Sequence, residues 1–244
     1  MFEILTSFQL ATSAAILAIA YFIRGIAGFG SGLIAVPLLA FVLPFSLVVP
    51  LMILLDYLAS LSQGMSNRSD IWWKEIVVVI PFSIIGVVIA LQFLTHTDAV
   101  SLHKVLGVLI ILYGLYSLYG LRPKAVAGRG WGILAGLAGG MIGALFGTGG
   151  PFYVSYLDSR GLDKAVFRAT LATLFLLDGT GLLVGYAVVG RFTGDFLGMV
   201  LLALPIMALF MYIGGHVHTR LSQATFQRGI SVLLIVSGVA LLAK

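Results

Sequence analysis

The chain contains no cysteine. Disulfides, thiolate metal sites and thiol chemistry are therefore excluded within it. Charge is nearly as scarce, because only 9% of the 244 residues are Asp, Glu, Lys or Arg. A soluble domain carries about a quarter, and so few charges cannot cover the water-facing surface of a soluble fold. Histidine occurs four times. His216 and His218 are two apart and fall on different helix faces, while His96 and His103 read as loop residues. All four are expected at interfaces, with His216 a weak proton-relay candidate, and no metal site is expected. Neither His-Glu-x-x-His nor Gly-x-Ser-x-Gly occurs, and no enzyme chemistry is expected without such a constellation. Glu3 and the absence of any basic residue before the first apolar run leave no basic region of a secretory signal, so that segment is expected to be retained.

What is abundant is apolar. Sixty percent of the residues are hydrophobic, which makes lipid the solvent for most of the chain. At about 20 residues per helical crossing there is room for roughly eight to ten, and none for a soluble domain. The formal charge of +5 sits in short loops between apolar runs. That is the pattern of membrane-orientation signals rather than of nucleic-acid binding, and no nucleic-acid partner is expected.

The runs come in two series. The first comprises Leu10–Ile23, a break at Arg24–Gly32, then Leu33–Phe45, Leu47–Leu61, Ile76–Leu94 and Val105–Leu121. A basic loop with Arg122, Lys124 and Arg129 follows. The second comprises Trp131–Phe146, a break at Gly147–Pro151, then Phe152–Leu157, Ala169–Val189, Phe196–Gly215 and Gly229–Ala243. The series match as an internal repeat. Gly28-Phe29-Gly30-Ser31-Gly32-Leu33 corresponds to Gly147-Thr148-Gly149-Gly150-Pro151-Phe152, and Leu54-Leu55-Asp56 to Leu176-Leu177-Asp178. Pro81 corresponds to Pro205, Lys104 to Arg228 and Gly114 to Gly238, at separations drifting from 119 to 124 residues. The organisation expected is a first transmembrane repeat over 1–121, a basic cytoplasmic linker over 122–130 and a second repeat over 131–244.

Loop charge orients the chain. If each half is a broken or re-entrant hairpin followed by three transmembrane helices, the loops with Arg68, Lys74, Arg122, Lys124, Arg129, Arg160, Lys164, Arg168, Arg220 and Arg228 share one side. Only Lys104, Arg191 and Lys244 fall on the other, and Arg24 lies in the hairpin break. The positive-inside rule then puts both termini outside. Three net crossings per half invert the halves relative to one another. The fold expected is thus an all-α polytopic membrane protein of two inverted repeats, about eight helical hydrophobic units in all.

The breaks are the first functional candidates. Non-helical backbone at membrane depth is tolerated only where protein or a water-filled cavity surrounds it. A half-helix starting at each break presents N–H groups and the positive end of its dipole, and two such ends would suit an anion. Gly28, Gly30, Ser31, Gly32 and Gly147, Thr148, Gly149, Gly150 are the candidate substrate-binding residues, with Ser31 and Thr148 adding hydroxyl donors. The alternative is close helix packing, since Gly28 and Gly32, Gly136 and Gly140, and Gly143 and Gly147 are small-xxx-small pairs. Matching breaks in both halves favour the site. Neither break is followed by Lys-Ser or Lys-Thr, so neither is a nucleotide loop. No ATP-binding motif or cofactor is implied.

Arg24-Gly25-Ile26-Ala27-Gly28-Phe29-Gly30-Ser31-Gly32, followed by Val36-Pro37-Leu38-Leu39, resembles the first-half signature of the sulfite exporter (TauE/SafE) family. Gly143-Ala144-Leu145-Phe146-Gly147-Thr148-Gly149-Gly150-Pro151 resembles its second-half signature. The resemblance extends over essentially the whole chain in length, duplication and segment order. Pro151 departs from it, standing where many members have a further glycine, but proline suits the first turn of a helix. The resemblance implies transport of a small sulfur-containing anion such as sulfite, thiosulfate, sulfoacetate or another organosulfonate, across a plasma membrane that is a bacterial inner membrane. It fixes neither the compound, the direction nor the oligomeric state.

Asp56 and Asp178 lie inside apolar runs, where charge is costly. They are candidates for proton uptake in a coupled cycle. The structural alternative is a helix cap or a bond to a nearby hydroxyl such as Tyr57 or Thr180. Arg24 can hold an oxyanion through several donors. Alternatively it snorkels to the cytoplasmic interface, which the lack of a basic partner in the second half favours. Arg168 reads as an interface anchor, Trp72, Trp73 and Trp131 as a membrane-surface belt, and Gln63 and Gln92 as helix glue. Tyr153, Ser155 and Tyr156 can line the second break or pack. The readings that compete with an anion transporter are a cation or proton-coupled carrier of another substrate, an anion channel and a non-transporting scaffold.

Overall fold

Apolar runs in hydrocarbon fold as helices because a helix satisfies its own backbone N–H and C=O groups within one segment. The computed structural model describes residues 6–64, 70–96, 99–119, 128–190, 192, 194–217 and 223–243. Among these are ten helices and no strand. They are α1 (Ser7–Ala27), α2 (Ser31–Leu39), α3 (Phe45–Gly64), α4 (Trp73–His96) and α5 (Ala99–Leu118), then α6 (Arg129–Phe146), α7 (Gly150–Ser159), α8 (Lys164–Val188), α9 (Gly194–His216) and α10 (Gln223–Leu242). The protein is an all-α, multi-pass membrane protein. Helices α1, α3, α4, α6, α8 and α9 are long and apolar enough to cross a membrane. The apolar stretches of α5 and α10 are shorter, Lys104–Leu118 and Ser231–Leu242. Helices α2 and α7 have 9 and 10 residues. At about 1.5 Å per residue they reach only halfway through a hydrocarbon layer of about 30 Å.

The ten helices follow the ten runs, with shifted boundaries. Helix α1 continues to Ala27, so Arg24 belongs to its last turn and the first break narrows to 28–30. The run expected from Leu33 to Phe45 holds a turn at 40–44, and α3 begins after it. Pro44 explains this, because proline pushes the residue before it out of helical geometry. The Gln9 side chain donates to the Val42 carbonyl at 3.1 Å and holds that turn to the start of α1. His96 ends α4 and His103 lies within α5 rather than in a loop. Helix α8 starts at Lys164, so Arg168 falls inside it, with an exposed side chain. Glu3, Arg68, Arg122, Lys124, Arg191, His218, Arg220 and Lys244 lie outside the described residues.

Packing does not follow the sequence halves. One compact unit takes Met1–Met52, Thr97–Leu121 and Thr193–Lys244; the other takes Ile53–His96 and Arg122–Phe192. In the first unit α1 packs on α2 and α9, and α10 packs on α5 and α2. In the second α4 packs on α6 and α8, and α7 packs on α6 and α8. The first helix of each half thus packs on the fourth helix of the other half. Small residues make these approaches possible. A Cβ on Gly136 or Gly140 of α6 would strike the carbonyl oxygen of Val79 or Ser83 of α4. One on Gly25 would lie 2.8 Å from the Gly215 nitrogen of α9. On α5 and α10, a Cβ at Gly114 would meet the Ser231 carbonyl at 3.0 Å, and one at Gly238 the Gly107 carbonyl at 2.8 Å. The packing reading is therefore correct for Gly136 and Gly140. Large apolar side chains such as Val77, Ile84 and Val88 of α4 and Leu201 and Leu209 of α9 point outward. In water they would form an unpartnered patch; in lipid they face the solvent.

Candidate functional site

At the first break the chain needs a backbone that only glycine adopts easily. Gly28 has φ +86° and Gly30 φ +98°, in the left-handed region where a Cβ costs about 1–2 kcal/mol. The Gly28 N–H donates to the Arg24 carbonyl at 2.6 Å and closes α1. Gly30 is the N-cap of α2, and no side chain caps that terminus. Arg24 is only 3% exposed, and its guanidinium Nη1 donates to the Ser31 hydroxyl at 3.0 Å. It does not snorkel outward. Its carbonyl closes the end of α1, and its guanidinium ties that end to the first residue of α2. Ser31 and Gly32 are buried, whereas a Cβ on Gly30 would meet nothing within 4 Å.

The second break is built alike up to a point. Gly147 has φ +65°, and its N–H donates to the Gly143 carbonyl at 2.7 Å. Gly143 therefore holds the place that Arg24 holds in the first repeat. Thr148 is buried. Gly149 is the N-cap of α7 in helical geometry, Gly150 and Pro151 open the helix, and again no side chain caps it. The surroundings differ from those of Gly30. A Cβ on Gly149 would strike the Gly139 carbonyl oxygen, and one on Gly139 would strike the Tyr153 ring. Helix α7 is pressed onto α6.

Asp178, on α8, is 6% exposed and lies beside this second break. A Cβ on Gly143 would sit 3.6 Å from Asp178 Oδ2 and 3.7 Å from Gly149 Cα. The carboxylate's partner is neither of the neighbouring hydroxyls expected from sequence. Ser83 of α4 donates its hydroxyl to Asp178 Oδ1, and Tyr153 of α7 donates to Ser83 Oγ at 3.1 Å. The Thr180 hydroxyl is spent on the Leu176 carbonyl at 2.8 Å. Tyr57 instead packs its ring over Gly179, 3.0 Å from where a Cβ would be. Asp56, the repeat partner of Asp178, is half-buried on α3.

A second polar cluster went unseen in the sequence. Glu75, in the first turn of α4, is fully buried. Tyr156 donates its hydroxyl to Glu75 Oε2, and Arg160 Nη2 donates to Oε1 at 3.1 Å. The Arg160 guanidinium lies 5.9 Å from the Trp72 ring centroid, and the backbone N–H of Trp72 donates to the Thr170 hydroxyl at 2.9 Å. The cluster ties the far end of half-helix α7 to the starts of α4 and α8. In the sequence Arg160 looked like a loop charge, Tyr156 like a residue that lines the break or packs, and Trp72 like a surface belt. A carboxylate at the head of an apolar run was the available signal. Trp73 and Trp131 are exposed, Tyr153 is buried and Ser155 half-buried; Gln92 is exposed. His216 Nδ1 lies 2.9 Å from the Tyr212 carbonyl.

Apolar helices of membrane length, two half-length helices starting at glycine breaks, and carboxylates buried within spans define a polytopic membrane transport protein. Residues 13–241 match the Sulfite exporter TauE/SafE family, and the chain belongs to that family. It is a transporter and not an enzyme. It is 29% identical over 197 residues, 78% of this chain and 81% of the relative, to a probable inner membrane transporter protein TsaS of Comamonas testosteroni. It is 25% identical over 240 residues, 93% of this chain and 91% of the relative, to a probable sulfite/organosulfonate exporter TauE of Cupriavidus necator. No solved structure matches it.

Proposed function

We propose that the protein is a secondary transporter that carries a small sulfur-containing anion across the bacterial inner membrane. Sulfite, thiosulfate, sulfoacetate and other organosulfonates are the substrate class. Family membership and the name of the Cupriavidus necator relative support that class. The observation that carries the site is the first break. An uncapped half-helix starts there, beside a buried guanidinium already bonded to that helix's first hydroxyl. Helix N-termini favour anions through their N–H groups and dipole, and a guanidinium matches the planar or tetrahedral array of a sulfur oxyanion. Arg24, Gly28, Gly30, Ser31 and Gly32 are the substrate contacts proposed at the first break. Gly147, Thr148, Gly149 and Gly150 are those at the second.

Transport runs by alternating access in a pair of inverted repeats, the 1–121 and 131–244 segments, joined by the basic linker. The linker and the other arginine-rich loops face the cytoplasm and both termini face outward. The energy comes from an ion gradient or from the substrate's own gradient. The direct test is exchange of radiolabelled sulfite, thiosulfate and sulfoacetate by the purified protein in liposomes. Saturable exchange of one, inhibited by the others, is expected. Folded protein that exchanges none of them would contradict the substrate class.

A further inference from the structure

The two breaks carry opposite chemistry. In the first repeat the residue whose carbonyl closes the break is Arg24, a buried cation. In the second the equivalent residue is Gly143, and the space a side chain would fill there is bounded by Asp178 Oδ2. Ser83 and Tyr153, which hold the carboxylate, have Met207 and Ile34 as repeat partners at the separations of their segments. Neither partner carries a hydroxyl, so the hydroxyl chain belongs to the second break only.

We propose that Asp178, held by Ser83 and Tyr153 beside the second break, is the proton-binding site that couples transport to a proton gradient. The proposal rests on the transporter reading for the word coupling, but not on the identity of the anion. Both hydroxyls point their hydrogens toward the carboxylate, Tyr153 to Ser83 and Ser83 to Asp178 Oδ1. Oδ1 is engaged, so the proton is taken up and released at Oδ2, on the side of Gly143 and Gly149.

No cation offsets the charge among the described residues. From α4 the group facing Asp178 is Ser83, from α7 it is Tyr153, and from α6 it is Gly143. On α3, Tyr57 packs on Gly179, with Asp56 preceding it. The charged groups of these helices lie toward their ends. Counted along the helices at about 1.5 Å per residue, Lys74 and Glu75 are about 12 Å or more from Ser83 and His96 about 20 Å. On the same count Arg129 is about 21 Å from Gly143, Asp158 and Arg160 about 8–10 Å from Tyr153, and Lys164 and Arg168 about 15–21 Å from Asp178. Arg160 is engaged with Glu75. An ionised carboxylate without a counter-ion inside a membrane span is costly and marks a proton or ion path. A proton is the smallest neutralising group, and the two hydroxyls suit the charged form while the proton is away.

Infrared difference spectra of the purified protein, recorded as pH is lowered, test this without any transported solute. The protonated-carboxyl band of wild type is expected to disappear in Asp178→Asn. It should change frequency in Ser83→Ala and Tyr153→Phe, because that frequency follows hydrogen bonding. In liposomes Asp178→Asn should keep anion exchange and lose accumulation driven by a pH gradient. Ser83→Ala and Tyr153→Phe should keep accumulation with a shifted pH midpoint. An infrared band unaltered in Asp178→Asn, or accumulation equal to wild type in that variant, would overturn the proposal. Wild-type protein that exchanges no sulfur anion yet shows the Asp178 band would count against the substrate class alone.

Discussion

Glycines that look interchangeable in the sequence do different work at the two breaks. Gly30 needs its left-handed backbone but has open space where a Cβ would go. Gly149 has an ordinary helical backbone but no space at all, because the Gly139 carbonyl is there. Alanine at Gly30 therefore carries only backbone strain, about 1 kcal/mol, whereas alanine at Gly149 forces α7 away from α6 at a cost of about 3 kcal/mol. Thermal unfolding in detergent should rank Gly149→Ala well below Gly30→Ala. Equal midpoints would contradict the packing described for α7. Sequence alone pointed to both residues through the repeat, yet it could not separate strain from crowding. Asp178 was legible because a carboxylate in an apolar run is conspicuous. Its partner Ser83 was not, since a lone serine in a span looks like any small packing residue.

At the level of elements, half-helix α7 is held at both ends. Its start leans on α6 through Gly139 and Gly149, and its end is bonded to α4 through Tyr156, Arg160 and Glu75. Removing one partner of a buried ion pair leaves an uncompensated charge and costs about 3–5 kcal/mol. Glu75→Gln should lower the melting temperature markedly, and Arg160→Gln introduced with it should recover part of the loss. An unchanged melting temperature for Glu75→Gln would contradict the burial of the cluster. Nine of the expected runs needed only shifted ends, but Leu33–Phe45 combined a half-helix, a turn and the first residue of α3. Hydropathy reports whether a segment is apolar, and Phe41, Val42 and Leu43 are apolar without being helical. Pro44 carried the only local signal of the turn.

Across the whole molecule, the succession of apolar helices was readable in the sequence and the exchange of helices between its halves was not. Periodicity shows which face of a helix is apolar, whereas the choice of α9 for α1 and of α4 for α6 depends on matching small-residue surfaces far apart in sequence. Orientation is the remaining whole-chain expectation. Because the chain has no native cysteine, single cysteines placed at Ser7 and in the linker at Ala125 report sidedness without background. Labelling by a membrane-impermeant maleimide in intact cells is expected at Ser7→Cys and not at Ala125→Cys. The reverse pattern would contradict the proposed orientation.

We propose a sulfur-anion transporter whose first break holds the substrate through Arg24. It is tested most directly by saturable uptake of labelled thiosulfate, sulfite and sulfoacetate into liposomes containing wild-type protein or Arg24→Gln, with folding confirmed by melting. Wild type should saturate with at least one anion and be inhibited by the others. Arg24→Gln should lose about tenfold or more in apparent affinity, the loss of one charge-assisted contact of about 1.5–3 kcal/mol. Wild-type saturation that Arg24→Gln reproduces unchanged would remove the guanidinium from the site, and no uptake by folded wild type would contradict the claim itself.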